Sequence, residues 1–165
     1  VIIDRAALEA VYRAGKESGN EFLRLYGELT VACADIKIAV RASRTGKSRE
    51  FLERALAPCD SLDIRRLTEA ALEGGEAVEH YLYTTEYHEG AAEMKQSLSA
   101  FERWCDNLMI QRIRPQLYNA FGIGPLAAYI LAWESEIKSV RTVLSGKKNH
   151  LPDQSIRERV RETYV

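Results

Sequence analysis

The chain has 165 residues, of which 46% are apolar and 28% charged, and its formal net charge is −1. That profile describes one globular domain, or two small ones sharing a core, able to bury about two-thirds of the unfolded surface. It excludes a disordered chain and leaves no electrostatic basis for binding nucleic acid. Cys33, Cys59 and Cys105 are odd in number and widely spaced, so no disulfide framework or structural zinc site is indicated, and a reducing, cytosolic setting fits best. The longest nearly uncharged stretch, Gly122 to Trp133, falls short of the roughly 20 residues that cross a bilayer. The chain opens on Val1 within an apolar run, from which we expect a larger N-terminal portion to precede it.

Almost every window shows a 3.6-residue apolar period, which predicts an all-α fold. A first helix is expected from Asp4, as cap, to Ser18-Gly19. Asn20 caps a longer second helix whose stripe runs Phe22, Leu25, Tyr26, Leu29, Cys33, Ile36 and Val40 to Arg44, ending at Thr45-Gly46. Ser48 caps a short third helix that Pro58 terminates. Asp63 to Leu72 and Glu76 to Tyr83 read as short helices separated by Gly74-Gly75, and Gly90 to Ile113 as one long helix ended by Pro115. Pro125 then opens a helix carrying Leu126, Tyr129, Ile130, Trp133, Ile137, Val140 and Leu144 at nearly heptad spacing, stopping at Ser145-Gly146. A terminal helix is expected over Ser155 to Tyr164. The aromatic residues Tyr129, Trp133, Phe101 and Trp104 read as core, as do Cys33 and Cys105.

Self-similarity is the most informative pattern. Phe22 to Arg44 and Leu126 to Lys148 correspond at an offset of 104 residues, with Leu29 on Trp133, Ile36 on Val140 and Val40 on Leu144. A basic turn and a short helix follow each. Two similar multi-helix units are therefore expected, residues 1–90 and residues 91–165, with room for the long helix 90–113 to be shared between them.

At these residues the sequence resembles the C-subunit family of archaeal-type and vacuolar-type rotary ATPases, whose eukaryotic counterpart is the d-subunit family. The run Pro125-Leu126-Ala127-Ala128-Tyr129 through Trp133-Glu134-Ser135-Glu136-Ile137 to Arg141 is similar to the family's "PL-AY--A-E-EI-N-R" segment, with Ser139 where asparagine is usual. Leu144-Ser145-Gly146-Lys147, the ending Ile156 to Val165, and Arg41 to Leu52 are similar as well. The resemblance implies a pseudo-threefold, funnel-like arrangement of helical units, of which this chain carries two as a fragment. It implies a non-catalytic central-stalk component that links the D and F axle subunits to the membrane proteolipid ring for ion transport. Such a component is peripheral to the membrane on its cytoplasmic side and has no cofactor and no small-molecule substrate.

The residues themselves favour contact over chemistry. Glu134 and Glu136 lie two apart on one helix and point about 200° apart, unsuited to paired acid/base work across a cleft, whereas Glu134 with Lys138 has the spacing of a helical ion pair. Glu134, Glu136, Lys138 and Arg141 are thus expected to form structural ion pairs. Gly122-Ile123-Gly124-Pro125 lacks a preceding strand and a following Gly-Lys-Ser, and Thr45-Gly46-Lys47-Ser48 lacks the upstream glycine of a phosphate loop. His80, His88 and His150 have no ligand-spaced partner, so no metal site is expected. Arg41, Arg44, Lys47, Lys147 and Lys148 are the candidate partner-binding residues, because equivalent basic turns of rotated repeats fall on one rim, where they could meet acidic groups. A helical-repeat scaffold that binds a peptide or partner helix is the alternative function, and a helical hydrolase built on Glu134 or His88 a third.

Overall fold

The computed structural model describes residues 1–164, and these are all-α, with no strand among them. They divide into two compact units, residues 1–98 and residues from Ser99 onward.

In the first unit, α1 (Ile2–Glu17) and α2 (Glu21–Thr45) pack together as a hairpin. Asp4 is not the cap. Helix α1 already begins at Ile2, and Asp4 sits in its first turn, where the helix dipole favours an acid. Asn20 does cap α2, its side chain accepting from the Leu23 N–H at 3.1 Å. Asn20→Ala should therefore cost about 1 kcal/mol in urea unfolding followed by circular dichroism, and Asn20→Ser much less. A loss no larger than that of an exposed mid-helix alanine substitution would show the cap to be idle.

Glycines set the spacing of this hairpin. A Cβ on Gly15 would lie 2.7 Å from the Leu23 carbonyl oxygen, and one on Gly27 3.1 Å from that of Val11. Helix α2 is the spine of the unit, with Leu29, Val31, Ile36 and Val40 at most 2% exposed. It packs against α3 (Arg49–Ala55), α4 (Ile64–Glu73) and α5 (Gly75–Leu82), and α6 (His88–Gln96) packs on α5. Burial of such side chains is worth about 1.5–3 kcal/mol each. Gly46, at φ 60°, ends α2 in the left-handed region. Ser48 then caps α3 by accepting from the Phe51 N–H, and Asp63 caps α4 through the Arg65 and Arg66 N–H groups.

The expected single helix from Gly90 to Ile113 is two, α6 and α7 (Leu98–Ile113). Ser97 between them has extended backbone at φ −171° and ψ 161°. Serine competes for nearby backbone groups and suits helix starts, a signal that apolar periodicity does not carry.

In the second unit α7 buries Phe101, Cys105, Ile110 and Ile113. A 3-10 turn (Arg114–Tyr118) follows, and α8 (Gly124–Lys148) starts with Pro125 in its first turn. The expected stop at Ser145-Gly146 does not occur, because Gly146 is buried and Ile156 occupies its side-chain space, with Cγ1 2.6 Å from where a Cβ would lie. There the glycine serves close packing. The expected terminal helix ends early: α9 covers Asp153–Arg157 only. Beyond it the backbone is held by other helices. The Glu162 N–H donates to Asn107 Oδ1 at 2.9 Å, Arg114 donates to the Thr163 carbonyl at 2.7 Å, and the Arg161 N–H donates to Ser139 Oγ at 3.3 Å. Val165, the last residue of the resembling segment, lies outside the described residues.

A candidate interaction surface

The two basic turns close the two 25-residue helices α2 and α8. Arg41, Arg44 and Lys47 are exposed at the end of α2, with the Lys47 ammonium 5.6 Å from the Phe51 ring centroid. Arg44 borders an open hollow of about 670 Å³ together with Glu76, Glu79, His80 and Lys95. Within it, Lys95 pairs with Glu79 at 2.9 Å. At the end of α8 Lys147 reaches Asp153 Oδ1 at 2.6 Å, tying α9 to α8, and Lys148 is exposed. Asp153 is correspondingly held below the usual carboxylate range by Lys147.

The acidic and basic groups along α8 do not gather into one cluster. Glu134 and Glu136 stand exposed, while Lys138 crosses to Asp106 of α7 at 3.8 Å. Asp106 also accepts from Arg161 Nε at 3.0 Å, and Arg161 reaches the Thr142 hydroxyl at 3.3 Å. Arg141 borders a smaller hollow of about 380 Å³ with Glu102, Arg159 and Arg161. The knot of Asp106, Lys138 and Arg161 escapes sequence reasoning because its members lie on three separate segments and share no spacing.

The other candidates have structural employment. Ser48 of the Gly-Lys-Ser triplet is a helix cap, its hydroxyl accepting from the Phe51 N–H at 3.3 Å. Gly124 lies against the Gln116 side chain, which fills the space a Cβ would need. His80 and His88 belong to the first unit, Glu134 and His150 to the second. Among the described residues no group of three or more His, Cys, Asp and Glu is placed to hold a metal, and no helix is long and apolar enough to cross a membrane.

Two carboxylates of α2 organise the turn between α3 and α4. Glu28 accepts from the Asp60 N–H at 3.1 Å and from the Ser61 N–H at 2.8 Å. Asp35 is fully buried and accepts from the Ala57 N–H at 3.1 Å, while its Oδ2 has no hydrogen-bond partner among the described residues. Burial pushes the Asp35 carboxyl up to about 7, against the opposing pull of the Ala57 N–H and the positive charge of Arg5. Burial likewise pushes the Cys59 thiol up to about 12, which leaves it protonated and unreactive.

The apolar stripe of α8 does not form the core expected of it. Trp133 and Tyr129 are both 60% exposed, their rings stacked with centroids 6.5 Å apart. What α8 buries instead is a face of small residues, Ala128, Ala132, Ser135 and Gly146, and at Gly146 the Ile156 side chain comes close. Phe101 is buried as expected, and Trp104 stacks on it at 5.8 Å.

Comparison with known proteins bears on these surfaces. The family model described as ATP synthase (C/AC39) subunit matches residues 1–159. The C subunit of the V-type sodium ATPase of Enterococcus hirae is 25% identical over 168 residues, covering 99% of this chain and 51% of that protein. The C subunit of the A-type ATP synthase of Methanocaldococcus jannaschii is 24% identical over 166 residues, covering 94% of this chain and 42% of that protein. No solved structure matches significantly. The chain spans about half the length of the curated relatives it matches. With one family model running through both helical units and both basic turns, the chain belongs to the ATP synthase (C/AC39) subunit family.

Proposed function

We propose that this chain is a non-catalytic coupling component of a V/A-type rotary ATPase, part of the central stalk, linking the D and F axle subunits to the membrane proteolipid ring. The observation that carries the reading is a recurring order of elements. A 16-residue helix, a 25-residue helix and a short helix occur as α1, α2 and α3, and again as α7, α8 and α9. Each 25-residue helix ends in a basic turn. Modules repeated by rotation about an axis would carry these turns on one rim, where Arg41, Arg44 and Lys47 of one and Lys147 and Lys148 of the other meet acidic groups of a neighbour. The protein then transmits torque by contact, at the cytoplasmic face and peripheral to the membrane. Family membership supports the reading, and the two relatives are by name components of a sodium ATPase and of an ATP synthase.

Reversing charge at one residue of each turn, Arg44→Glu with Lys148→Glu, is expected to weaken association with the axle or ring by at least about tenfold at low salt. Each single change should do less, and the wild-type affinity should fall with added salt while that of the double variant barely moves. Equal low-salt affinity for wild type and double variant would remove the rim from the account. The scaffold reading is favoured by one observation, the exposed apolar stripe of α8.

A further inference from the structure

Both ends of the loop between α3 and α4 rest on carboxylates of α2, Glu28 and Asp35, which lie two helical turns apart on one face. One end is held many times over. Glu28 accepts from the Asp60 and Ser61 N–H groups and from the Ser61 hydroxyl, and Tyr12 and Lys16 donate to the Asp60 carboxylate. The other end is held by less. The Leu56 N–H closes α3 on the Leu52 carbonyl, the Ala57 N–H donates to Asp35 at 3.1 Å, and Pro58 has no N–H to give. Asp35 is 0% exposed, and its Oδ2 has no hydrogen-bond partner among the described residues. A carboxyl so placed is costly when charged and tolerable when protonated. Any further protein packed against the unit would only deepen that burial.

The groups around Asp35 offer it little compensation. Arg5 of α1 pulls on it from a distance but is engaged with Glu9 and with the Glu53 carbonyl. The Cys59 thiol, on the loop itself, feels Asp35 and stays protonated. Arg49 and Glu53 of α3 and Arg65 of α4 border a hollow of about 200 Å³ whose wall includes Leu56 and Pro58. Glu76, Glu79 and His80 of α5 border the separate hollow at Arg44. Asp35 is buried, and exposed Pro58 on the wall of the first hollow puts solvent one residue beyond Ala57.

We propose that Asp35 is a proton-operated latch on the loop between α3 and α4: protonated, it holds Leu56 to Cys59 closed over the core, and on losing its proton it lets this stretch open toward the hollow while Glu28 keeps Asp60 and Ser61 in place. Opening brings water to the carboxyl, which then titrates near its ordinary 3.8, whereas in the closed form burial raises it to about 7. The closed form binds the proton more tightly, so acid closes the latch. The opening constant therefore climbs by about tenfold per pH unit from about 4 to about 7 and is level above. The end of α3 moves with the stretch, so the first unit stiffens as pH falls. This device depends on burial within the first unit alone and stands apart from the coupling role.

Amide hydrogen exchange of the whole chain, followed residue by residue by NMR at pH 5, 6 and 7 and corrected for intrinsic rates, tests the latch. Protection of the Ala57 N–H is expected to fall roughly fiftyfold from pH 5 to pH 7. At pH 7 it should lie below that of Ser61, and below that of Val31 and Ile36 in the core of α2, which exchange only when the unit unfolds. In Asp35→Asn, which keeps an oxygen for Ala57 and has no proton to lose, protection of Ala57 should stay constant over the same range. A flat profile in the wild type, or the same fall in Asp35→Asn, overturns the proposal. Protection of Ala57 equal to that of Ser61, Val31 and Ile36 overturns it as well, because the loop then opens only with the whole unit.

Discussion

Asp35→Asn is expected to stabilise the first unit increasingly as pH rises from 4 to 8. In the folded chain the Asp35 carboxyl is pushed from 3.8 to about 7, chiefly by burial beneath α3 and its following turn. An acid whose pKa is raised on folding holds its proton in the native state over a range where the unfolded chain has already released it. The stability it contributes is complete below the unfolded value, is lost as pH climbs through the window, and stays lost above the folded value. The size of the shift corresponds to a swing on the order of 4 kcal/mol. Asparagine keeps an oxygen for the Ala57 N–H and carries no titrating proton, so its stability should vary little with this window. Urea unfolding of both proteins at pH 4, 6 and 8 measures the difference, and a constant gap between them would mean that the buried carboxyl does not titrate as described. Asp35→Ala should lose about 1–3 kcal/mol at pH 4, because it strands the Ala57 N–H in the core, and that loss should shrink or reverse at pH 8, where the wild type carries the buried charge.

The second large effect is steric. Gly15→Leu should cost the first unit about 3 kcal/mol, because the added Cβ meets the Leu23 carbonyl oxygen at 2.7 Å and backbone cannot step aside as a side chain can. The competing effect is known in size: replacing a mid-helix glycine by a good helix former gains about 1 kcal/mol. The overlap wins if α1 and α2 are as close as described. Gly15→Ala is the sharper version, since alanine has the best helix propensity and should nonetheless lower the unfolding midpoint. A raised midpoint for Gly15→Ala would show that the hairpin is looser and that glycine is there for another reason.

What can be read from the sequence depends on whether the deciding signal is local. Helix α2 is legible from end to end because Asn20, the buried stripe and Gly46 each act within a turn of their own position. The all-α class follows for the same reason. The break at Ser97 is not legible, because one residue of extended backbone inside an apolar period leaves the period itself unchanged. Gly146 reads as a helix stop but is not one, because its role depends on Ile156, ten residues on and across a turn. The tail after Arg157 reads as helix and is not, because Asn107, Arg114 and Ser139 hold its backbone from distant positions.

Helix α8 shows a deeper limit. An apolar stripe says that a surface is fit to be covered, and the sequence does not say by what. In α2 the cover is α1, which precedes it, together with α3, α4 and α5, which follow it in the chain. In α8 the chain itself packs the opposite face of small residues, and the stripe stays exposed among the described residues. The candidate rim is legible as charge at helix ends, but Lys147 is tied to Asp153, which leaves Arg44 and Lys148 as the better residues to perturb.

Capture of the purified D–F axle, and separately of the detergent-solubilised ring, by the immobilised chain tests the coupling role most directly. Saturable binding to at least one of them is expected at low salt, weakened by added salt and by reversing charge at Arg44 and Lys148. Retention of neither, by a chain whose helical spectrum and cooperative unfolding show it to be folded, would contradict that role.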